Sequence, residues 1–196
     1  MIRRPPRSTQ GVSSAASDVY KRQLLDIAIG NHMHEQYHYI YPLCDYVVGA
    51  DIDADKFGKF DADRFDQVDA NNKLSYGDNE FEVVLSEHTI EHLKNPELFY
   101  KEIQRIASKK VIITTPHWVS ERFDRLFQGA EKDHGTPHLQ KFNPKWFNDR
   151  TDHDRWHYQQ KFTKKIPTIR GYVSLPVKIS AEIIIILRRK ENIITE

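Results

Sequence analysis

The chain has 196 residues, of which 39% are hydrophobic and 29% are charged. These values are typical of one ordinary folded domain and exclude a fibre, a disordered chain or a bundle of membrane helices. The longest aliphatic run, Ile183 to Leu187, is far shorter than the roughly 20 residues needed to cross a bilayer, so we expect no membrane contact. The single cysteine, Cys44, excludes an internal disulfide, and we expect a cytoplasmic protein.

The first 23 residues differ from the rest of the chain in charge. They carry five Arg or Lys against one acid, Asp18, which leaves 24 basic and 27 acidic residues in the remainder. This slightly acidic remainder predicts that the protein does not bind nucleic acid. Segment 1–23 lacks an apolar period and is predicted to be disordered. A transit peptide or a basic nucleic-acid-binding arm shares this composition. The segment resembles a translated sequencing adaptor more closely, which predicts a non-native leader and a native chain that extends before Leu24.

Short apolar runs alternate with polar, helix-like stretches from Leu24 onward. This alternation predicts repeated strand–helix units and an α/β fold with a parallel sheet. A helix is predicted to begin at Asn95-Pro96, because proline is favoured in a first turn and apolar residues recur at helical spacing as far as Ile106. The predicted strands of this part are LLDIAI (24–29), YVVGADI (46–52), FDQVDA (65–70), FEVVLS (81–86) and VIITT (111–115).

The composition changes after Pro116. Residues 117–160 are rich in His, Trp, Phe and charge, which predicts a loop-rich cover on the substrate side of the sheet, with helical signal at 121–127 and after Asn143-Pro144. HYQQKF (157–162) and EIIIIL (182–187) are predicted to be the closing strands. We therefore expect residues 24–196 to form a single domain.

Acidic and small residues follow the predicted strands. Because ligands bind outside the carboxyl ends of parallel strands, these residues predict a ligand site. A glycine turn lets a ligand approach the backbone closely, and one carboxylate can accept hydrogen bonds from both hydroxyls of a ribose. Each feature alone also fits an ordinary turn or a solvated acid, so their order along the chain is the more specific signal. From the N-terminus onward, the residues that follow the first four predicted strands, or end them, are Asp26 and Gly30, Asp51 and Asp53, Asp69, and Ser86 and Glu87.

The order of these motifs carries a family resemblance. LLDIAIG, VVGADID, DANNKLSYGDNEFEVVLSEHTIEHL and VIITTP together resemble the signature of the class I S-adenosylmethionine-dependent methyltransferases, and most closely the type 11-like group. The resemblance covers about residues 24–116 well and 117–190 loosely. It implies a doubly wound, mostly parallel, seven-stranded Rossmann-like sheet flanked by helices, with S-adenosyl-L-methionine as the cofactor.

The resemblance also implies a role for individual residues. Asp26 is expected to face the amino acid end of the cofactor, above a turn formed by Ala28 and Gly30. Two glycines of the family's Gly-x-Gly-x-Gly turn are replaced by Ala28 and His32. The remaining cofactor-binding assignments are Asp51 to the ribose hydroxyls, Ile52 against the adenine, Asp69 to the adenine amino group with Ala70 beside it, and Ser86, Glu87 and His88 along the cleft.

The stretch HTIEH, residues 88–92, also fits the H-x-x-E-H pattern of a class of zinc peptidases. It directly follows a predicted strand, whereas a peptidase needs both histidines on one helix and a further downstream ligand. We therefore expect His88 to line the cofactor cleft and His92 and Leu93 to pack or cap locally. The cofactor pocket that the resemblance implies needs no metal.

The candidates for a general base are histidines of the cover region. Methyl transfer is accelerated mainly by holding the acceptor in line with the methyl group, and a base is needed only where the acceptor loses a proton. Histidine ordinarily titrates near neutrality, which suits this work, and the candidates are His117, His134 and His138. His134 and His138 could instead form a metal cluster with His153 and His157.

A second patch of the cover region has two interpretations. The segment KFNPKWFNDR, residues 141–150, could hold a planar or anionic acceptor, or it could be an amphipathic helix that docks its aromatic face.

Several function classes remain open at this stage. The first is methyl transfer to a small-molecule acceptor, such as a lipid precursor or a sugar. The second is a non-catalytic relative that keeps the fold as a binding or scaffold module, as the altered glycine turn suggests. The third is a zinc hydrolase that uses His88 and His92, and a nicotinamide-dependent oxidoreductase is a weaker fourth.

Overall fold

The computed structural model describes residues 22–29, 41–56, 62–116, 138–162 and 182–190. The leader up to residue 21, the predicted helical signal at 121–127 and the candidates Gly30, His32, His117 and His134 lie outside the described residues. Seven strands form one sheet. They are β1 (Gln23–Ile27), β2 (Tyr46–Asp51), β3 (Arg64–Gln67), β4 (Phe81–Glu87), β5 (Ala107–Pro116), β6 (Trp156–Phe162) and β7 (Glu182–Arg189).

The strand order is β3-β2-β1-β4-β5-β7-β6. The first five strands in this order pair in parallel, while β7 pairs antiparallel with both β5 and β6. The predicted doubly wound, mostly parallel seven-stranded sheet is therefore confirmed. From β1 the chain continues through β2 and β3 on one side of β1, and then through β4 and β5 on the other side. The direction in which strands are added to the sheet therefore reverses next to β1. Ligands bind at such a point in open α/β sheets.

The buried strands follow from their sequences. β1, β2 and β7 are rich in Leu, Ile and Val, and a strand covered on both faces needs a nearly continuous apolar run. Leu25, Val48 and Val84 are fully buried on neighbouring strands. Each of the seven predicted strands is present. The observed ends differ from the predicted ones by at most four residues, and the largest difference is at β5, which begins directly after the preceding helix.

Helix α1 (Pro96–Ile106) covers β4 and β5. The Asn95 side chain caps it by accepting a hydrogen bond from the backbone N–H of Leu98 at 3.4 Å, and Pro96 occupies the first turn. Phe99 and Ile103 lie one turn apart and are both fully buried, as the helical spacing predicted. Helix α2 (Pro144–Asp149) begins at the second predicted Asn-Pro pair. No helix in the described ranges is both long and apolar enough to span a membrane.

Candidate functional site

Three neighbouring strands bring their acidic ends to one edge of the sheet. β1 lies between β2 and β4, with Ile27 aligned with Ala50 on one side and with Ser86 on the other. Asp51 is the last residue of β2, and Glu87 is the last residue of β4. Residues that lie far apart in the sequence therefore meet at the switch point, as the strand-end pattern predicted.

Asp26 is the most deeply buried acid of this edge. Its residue exposure is 1%, and its Oδ2 accepts a hydrogen bond of 2.6 Å from the hydroxyl of Tyr41. The pKa of Asp26 is raised to about 8, mainly by burial; the Tyr41 hydrogen bond lowers it, and the charges of Glu87 and Asp51 contribute to the rise. Its Oδ1 is buried and makes no hydrogen bond to the described residues. An unsatisfied buried oxygen of this kind fits a ligand that brings a donor or a positive charge.

The turn after β1 has an unusual backbone at Ala28. Its φ is 60°, in the left-handed region that favours glycine. The Ala28 N–H donates to the carbonyl oxygen of Ala50 at 2.7 Å, so the first residue of the turn is fixed to β2. The alanine therefore retains the conformation of a glycine turn, at a cost of about 1–2 kcal/mol for the left-handed residue.

The end of β2 presents Asp51 and Ile52. Asp51 is 7% exposed, and its Oδ1 accepts a hydrogen bond from the backbone N–H of Asp53 at 2.9 Å. Ile52 is one of the exposed large hydrophobic residues, at 60%. An acid held against its own turn beside an exposed apolar side chain is an arrangement that can bind a sugar hydroxyl and a flat apolar ring.

Asp69 shapes the loop after β3. Its Oδ1 accepts from the backbone and side-chain nitrogens of Asn71 at 2.9 and 3.0 Å, and its Oδ2 accepts from Asn72 Nδ2 at 2.9 Å. Ala70, beside it, is 8% exposed. The carboxylate of Asp69 thus already holds a turn, and a ligand amino group would have to share its oxygens with the two asparagines.

Ser86, Glu87 and His88 form the end of β4 and the turn after it. The Oγ of Ser86 is buried without a hydrogen bond to the described residues. His88 has a φ of 46°, and its backbone N–H donates to the carbonyl oxygen of Thr114 at 3.0 Å. A non-glycine residue in this region marks local strain, which occurs often at ligand sites.

HTIEH forms a turn and a short 3-10 helix, Ile90–His92, and no α-helix carries both histidines. His88 lies before that helix, and its Nδ1 is 3.3 Å from Oε1 of Glu91. The backbone N–H of His92 donates to the carbonyl oxygen of Thr89 at 3.0 Å, and Leu93 is buried in the core. The arrangement of a helical zinc peptidase pair is therefore not formed by His88 and His92.

Of the candidate bases, His138 lies within the described residues. Its ring stands edge-on to the ring of His92, with centroids 4.8 Å apart and an interplanar angle of 69°. The proposed metal cluster with His153 and His157 is not assembled, because no group of close ligands among the described residues includes either of them. His153 Nε2 instead lies 2.9 Å from the carbonyl oxygen of Asn148.

The aromatic segment after residue 140 packs into the protein. Phe147 is fully buried, and its ring lies 5.5 Å from that of Tyr100 on α1. Trp146 contacts the same tyrosine ring at 5.7 Å, and Arg150 stacks over Trp146 at 4.5 Å. The interpretation as an amphipathic helix that docks its aromatic face is confirmed.

Sequence reasoning missed three residues of this region. Tyr41 bonds Asp26 from 15 positions away, and no local pattern indicates that contact. In the sequence, Glu91 was noted only as part of the H-x-x-E-H pattern. In the structure it is 1% exposed and accepts a hydrogen bond from Thr115 Oγ1 at 3.1 Å. Thr114, aligned with Glu87, has a buried hydroxyl with no partner among the described residues. The sequence feature that could have identified Thr114 is its position near the end of the predicted strand in VIITTP.

Comparison with known proteins agrees with this architecture. Residues 25–114 match the family model described as "Methyltransferase domain". No curated protein matches the sequence.

Solved structures show the same fold at low identity. A SAM dependent methyltransferase from Archaeoglobus fulgidus is 15% identical, with a TM-score of 0.62 and coverage of 87% of this chain and 87% of that chain. An S-adenosylmethionine dependent methyltransferase from Mesorhizobium loti is 11% identical, with a TM-score of 0.61 and coverage of 85% and 90%. A methyltransferase candidate in complex with the Haloferax volcanii Trm112 methyltransferase activator is 11% identical, with a TM-score of 0.62 and coverage of 88% and 83%.

The family model matches the part of the chain that carries the motifs, and the solved structures match the sheet as a whole. Residues 25–114 match the methyltransferase-domain family, and the chain has the Rossmann-like fold seen in solved structures of S-adenosylmethionine-dependent methyltransferases.

Proposed function

We propose that the protein binds S-adenosylmethionine at the carboxyl edge of β2, β1 and β4 and transfers its methyl group to a small-molecule acceptor. The observation that carries this proposal is the buried Asp26, whose Oδ1 makes no hydrogen bond to the described residues at the switch point of the sheet. The family match supports the same reaction class.

The residues at this edge fit the parts of the cofactor. A buried carboxyl with an unsatisfied oxygen suits the ammonium group of the amino acid end, and Asp26 has both properties. Asp51, at the end of the neighbouring strand, is assigned to the ribose hydroxyls, and the exposed Ile52 beside it to one face of the adenine. The other assigned residues are Ala28 and Gly30 in the turn, Asp69 and Ala70 near the adenine edge, and Ser86, Glu87 and His88 along the cleft.

The bound cofactor would supply a methyl group that is activated by a positively charged sulfur. The protein's contribution is to bind, orient and exclude water, because alignment alone removes much of the barrier to such a displacement. His117, His134 and His138 remain the proposed bases for an acceptor that must lose a proton. The cytoplasmic location and the absence of nucleic-acid and membrane partners belong to the same proposal.

A non-catalytic relative is the second candidate, and Ala28 is the observation that favours it. The residue keeps the left-handed backbone of a glycine turn, but its methyl group stands where the family has no side chain. A chain that has lost catalysis could tolerate this change without loss of its sheet.

The test is a calorimetric titration of S-adenosylhomocysteine into the wild type, Asp51→Ala and Asp55→Ala. Asp55→Ala is the matched control, because it removes the same charge from an exposed site four residues away. We expect binding by the wild type and Asp55→Ala, and at least about a tenfold loss of affinity in Asp51→Ala, since a hydrogen bond to a charged group contributes about 1.5–3 kcal/mol. A folded wild type that binds no S-adenosylhomocysteine would overturn the proposal and favour the non-catalytic relative.

A further inference from the structure

A second cluster of chemically active side chains lies beside the cofactor edge. Glu91, His92 and His138 each offer one ligand atom, and these atoms all lie within 4.8 Å of one another. Imidazole nitrogen and carboxylate oxygen are ligands for divalent first-row metals, and two histidines with one glutamate is a known three-ligand set for zinc.

The backbone builds this cluster from two distant segments. The N–H groups of Leu139 and Gln140 both donate to the carbonyl oxygen of Glu91, at 2.8 and 3.0 Å. These two hydrogen bonds fasten the segment that carries His138 to the 3-10 helix that carries His92. The two rings consequently meet at a centroid distance of 4.8 Å, although the residues are 46 positions apart in the chain.

The carboxylate of the cluster is both buried and oriented. Glu91 is 1% exposed, and its Oε2 accepts a hydrogen bond from Thr115 Oγ1 at 3.1 Å. Its Oε1 lies 3.3 Å from Nδ1 of His88. A buried carboxylate is costly unless hydrogen bonds or a cation stabilise it, and hydrogen bonds from neighbouring residues are what orient metal ligands in proteins.

We propose that Glu91, His92 and His138 bind a divalent transition-metal ion, with Zn²⁺ as the best match to these ligands. Ligand atoms of a tetrahedral zinc site are about 3.4 Å apart, so the cluster has to contract by at most about 1.4 Å. Rotation of the two histidine rings can supply this movement while the Thr115 hydrogen bond keeps the carboxylate in place.

The site is separate from the assigned cofactor residues but adjoins them through His88. When His138 holds the metal it cannot also act as a base, which leaves His117 and His134 as the proposed bases. Three protein ligands leave at least one coordination position for an oxygen ligand. The acceptor that such a metal would select carries a hydroxyl or carboxylate oxygen. This last step rests on the proposed methyl transfer, whereas metal binding itself does not.

The test is a titration of Co²⁺ into the chelator-treated protein, followed by the visible absorption of four- or five-coordinate Co²⁺ and its loss when Zn²⁺ is added. We expect a single equivalent to bind to the wild type, and binding at least about tenfold weaker in His92→Ala and in His138→Ala, because each removes a direct ligand. His153→Ala is the matched control, since this histidine lies outside the cluster, and it should titrate as the wild type does.

Thermal unfolding in the presence of chelator shows whether each variant is folded. No Co²⁺ spectrum in the wild type, or an unchanged titration in both folded cluster variants, would overturn the metal site. The outcome is independent of the cofactor titration. Co²⁺ binding without S-adenosylhomocysteine binding supports the metal site and contradicts methyl transfer, and the opposite pair of results does the reverse.

Discussion

The buried carboxyl of Asp26 makes cofactor binding dependent on pH. Burial raises its pKa to about 8 from an ordinary value of 3.8. With that pKa, about one carboxyl in ten is ionised at neutral pH in the ligand-free protein. If the ammonium group of S-adenosylhomocysteine binds the ionised form, its affinity should rise about tenfold from about pH 6 to pH 7 and level off above about pH 8.

The assay is calorimetry of S-adenosylhomocysteine binding across this range, with the proton release at neutral pH obtained from two buffers of different ionisation enthalpy. Asp26→Asn is the comparison, because it removes the titrating group and keeps a similar shape. This variant should bind more weakly and lose the pH slope, whereas a slope that arises from any other titrating group would persist. A flat wild-type profile, or the same slope in both proteins, would refute the assignment of Asp26 to the ammonium group.

The same pKa determines how the ligand-free protein responds to pH. The folded pKa of Asp26 lies above the unfolded value, so the protonated carboxyl contributes fully to stability below pH 3.8, and this contribution is lost as the pH rises through about 8. Urea unfolding should show that loss in the wild type, and it should be absent in Asp26→Asn.

Two further substitutions test the stability of the fold. In α1, the Arg105 guanidinium donates to both carboxylate oxygens of the buried Glu102, at 3.0 and 2.7 Å. Arg105→Ala should lower the free energy of unfolding by about 2 kcal/mol at neutral pH, because it removes this partner. The hydrogen bond from Arg105 holds the pKa of Glu102 below its usual range, so the difference in urea midpoint should shrink as the pH falls through that lowered pKa, and a constant difference would contradict this reasoning. Gly49→Ala places a methyl group 3.1 Å from a ring carbon of Phe65, and we expect a loss of about 1–3 kcal/mol from overpacking. An unchanged melting temperature would show that the ring moves aside freely.

The sequence alone was sufficient to predict the sheet and the edge at which its acidic residues meet. Buried strands need apolar runs, and acids that follow such runs must lie at one edge once the strands are parallel. Asp26, Asp51 and Glu87 could therefore be placed together from the sequence. Strand ends were less certain because pairing determines them, as at β5, where the ladder extends back to Ala107.

Contacts between distant side chains could not be predicted in the same way. The hydrogen bond from Tyr41 to Asp26 and the ring contact between His92 and His138 each join segments whose local sequences contain no sign of the partner. Asp69 is a further example, since the resemblance assigned it to the adenine amino group and did not indicate that neighbouring asparagines also donate to both of its oxygens. Asx turns of this kind compete for a carboxylate with any external donor.

The two proposed sites meet at the strained turn after β4. His88 directly follows Glu87, the last residue of β4, and its Nδ1 lies 3.3 Å from Oε1 of Glu91. Its backbone N–H is hydrogen-bonded to β5, and its φ is 46°. A cation bound to the Glu91 carboxylate would therefore act on His88 through a direct contact, without any change in the sheet. If both sites are occupied in the working protein, removing the metal should alter cofactor affinity through this turn. The Ala28 turn at β1 is fixed independently to β2, so it should be insensitive to the same change.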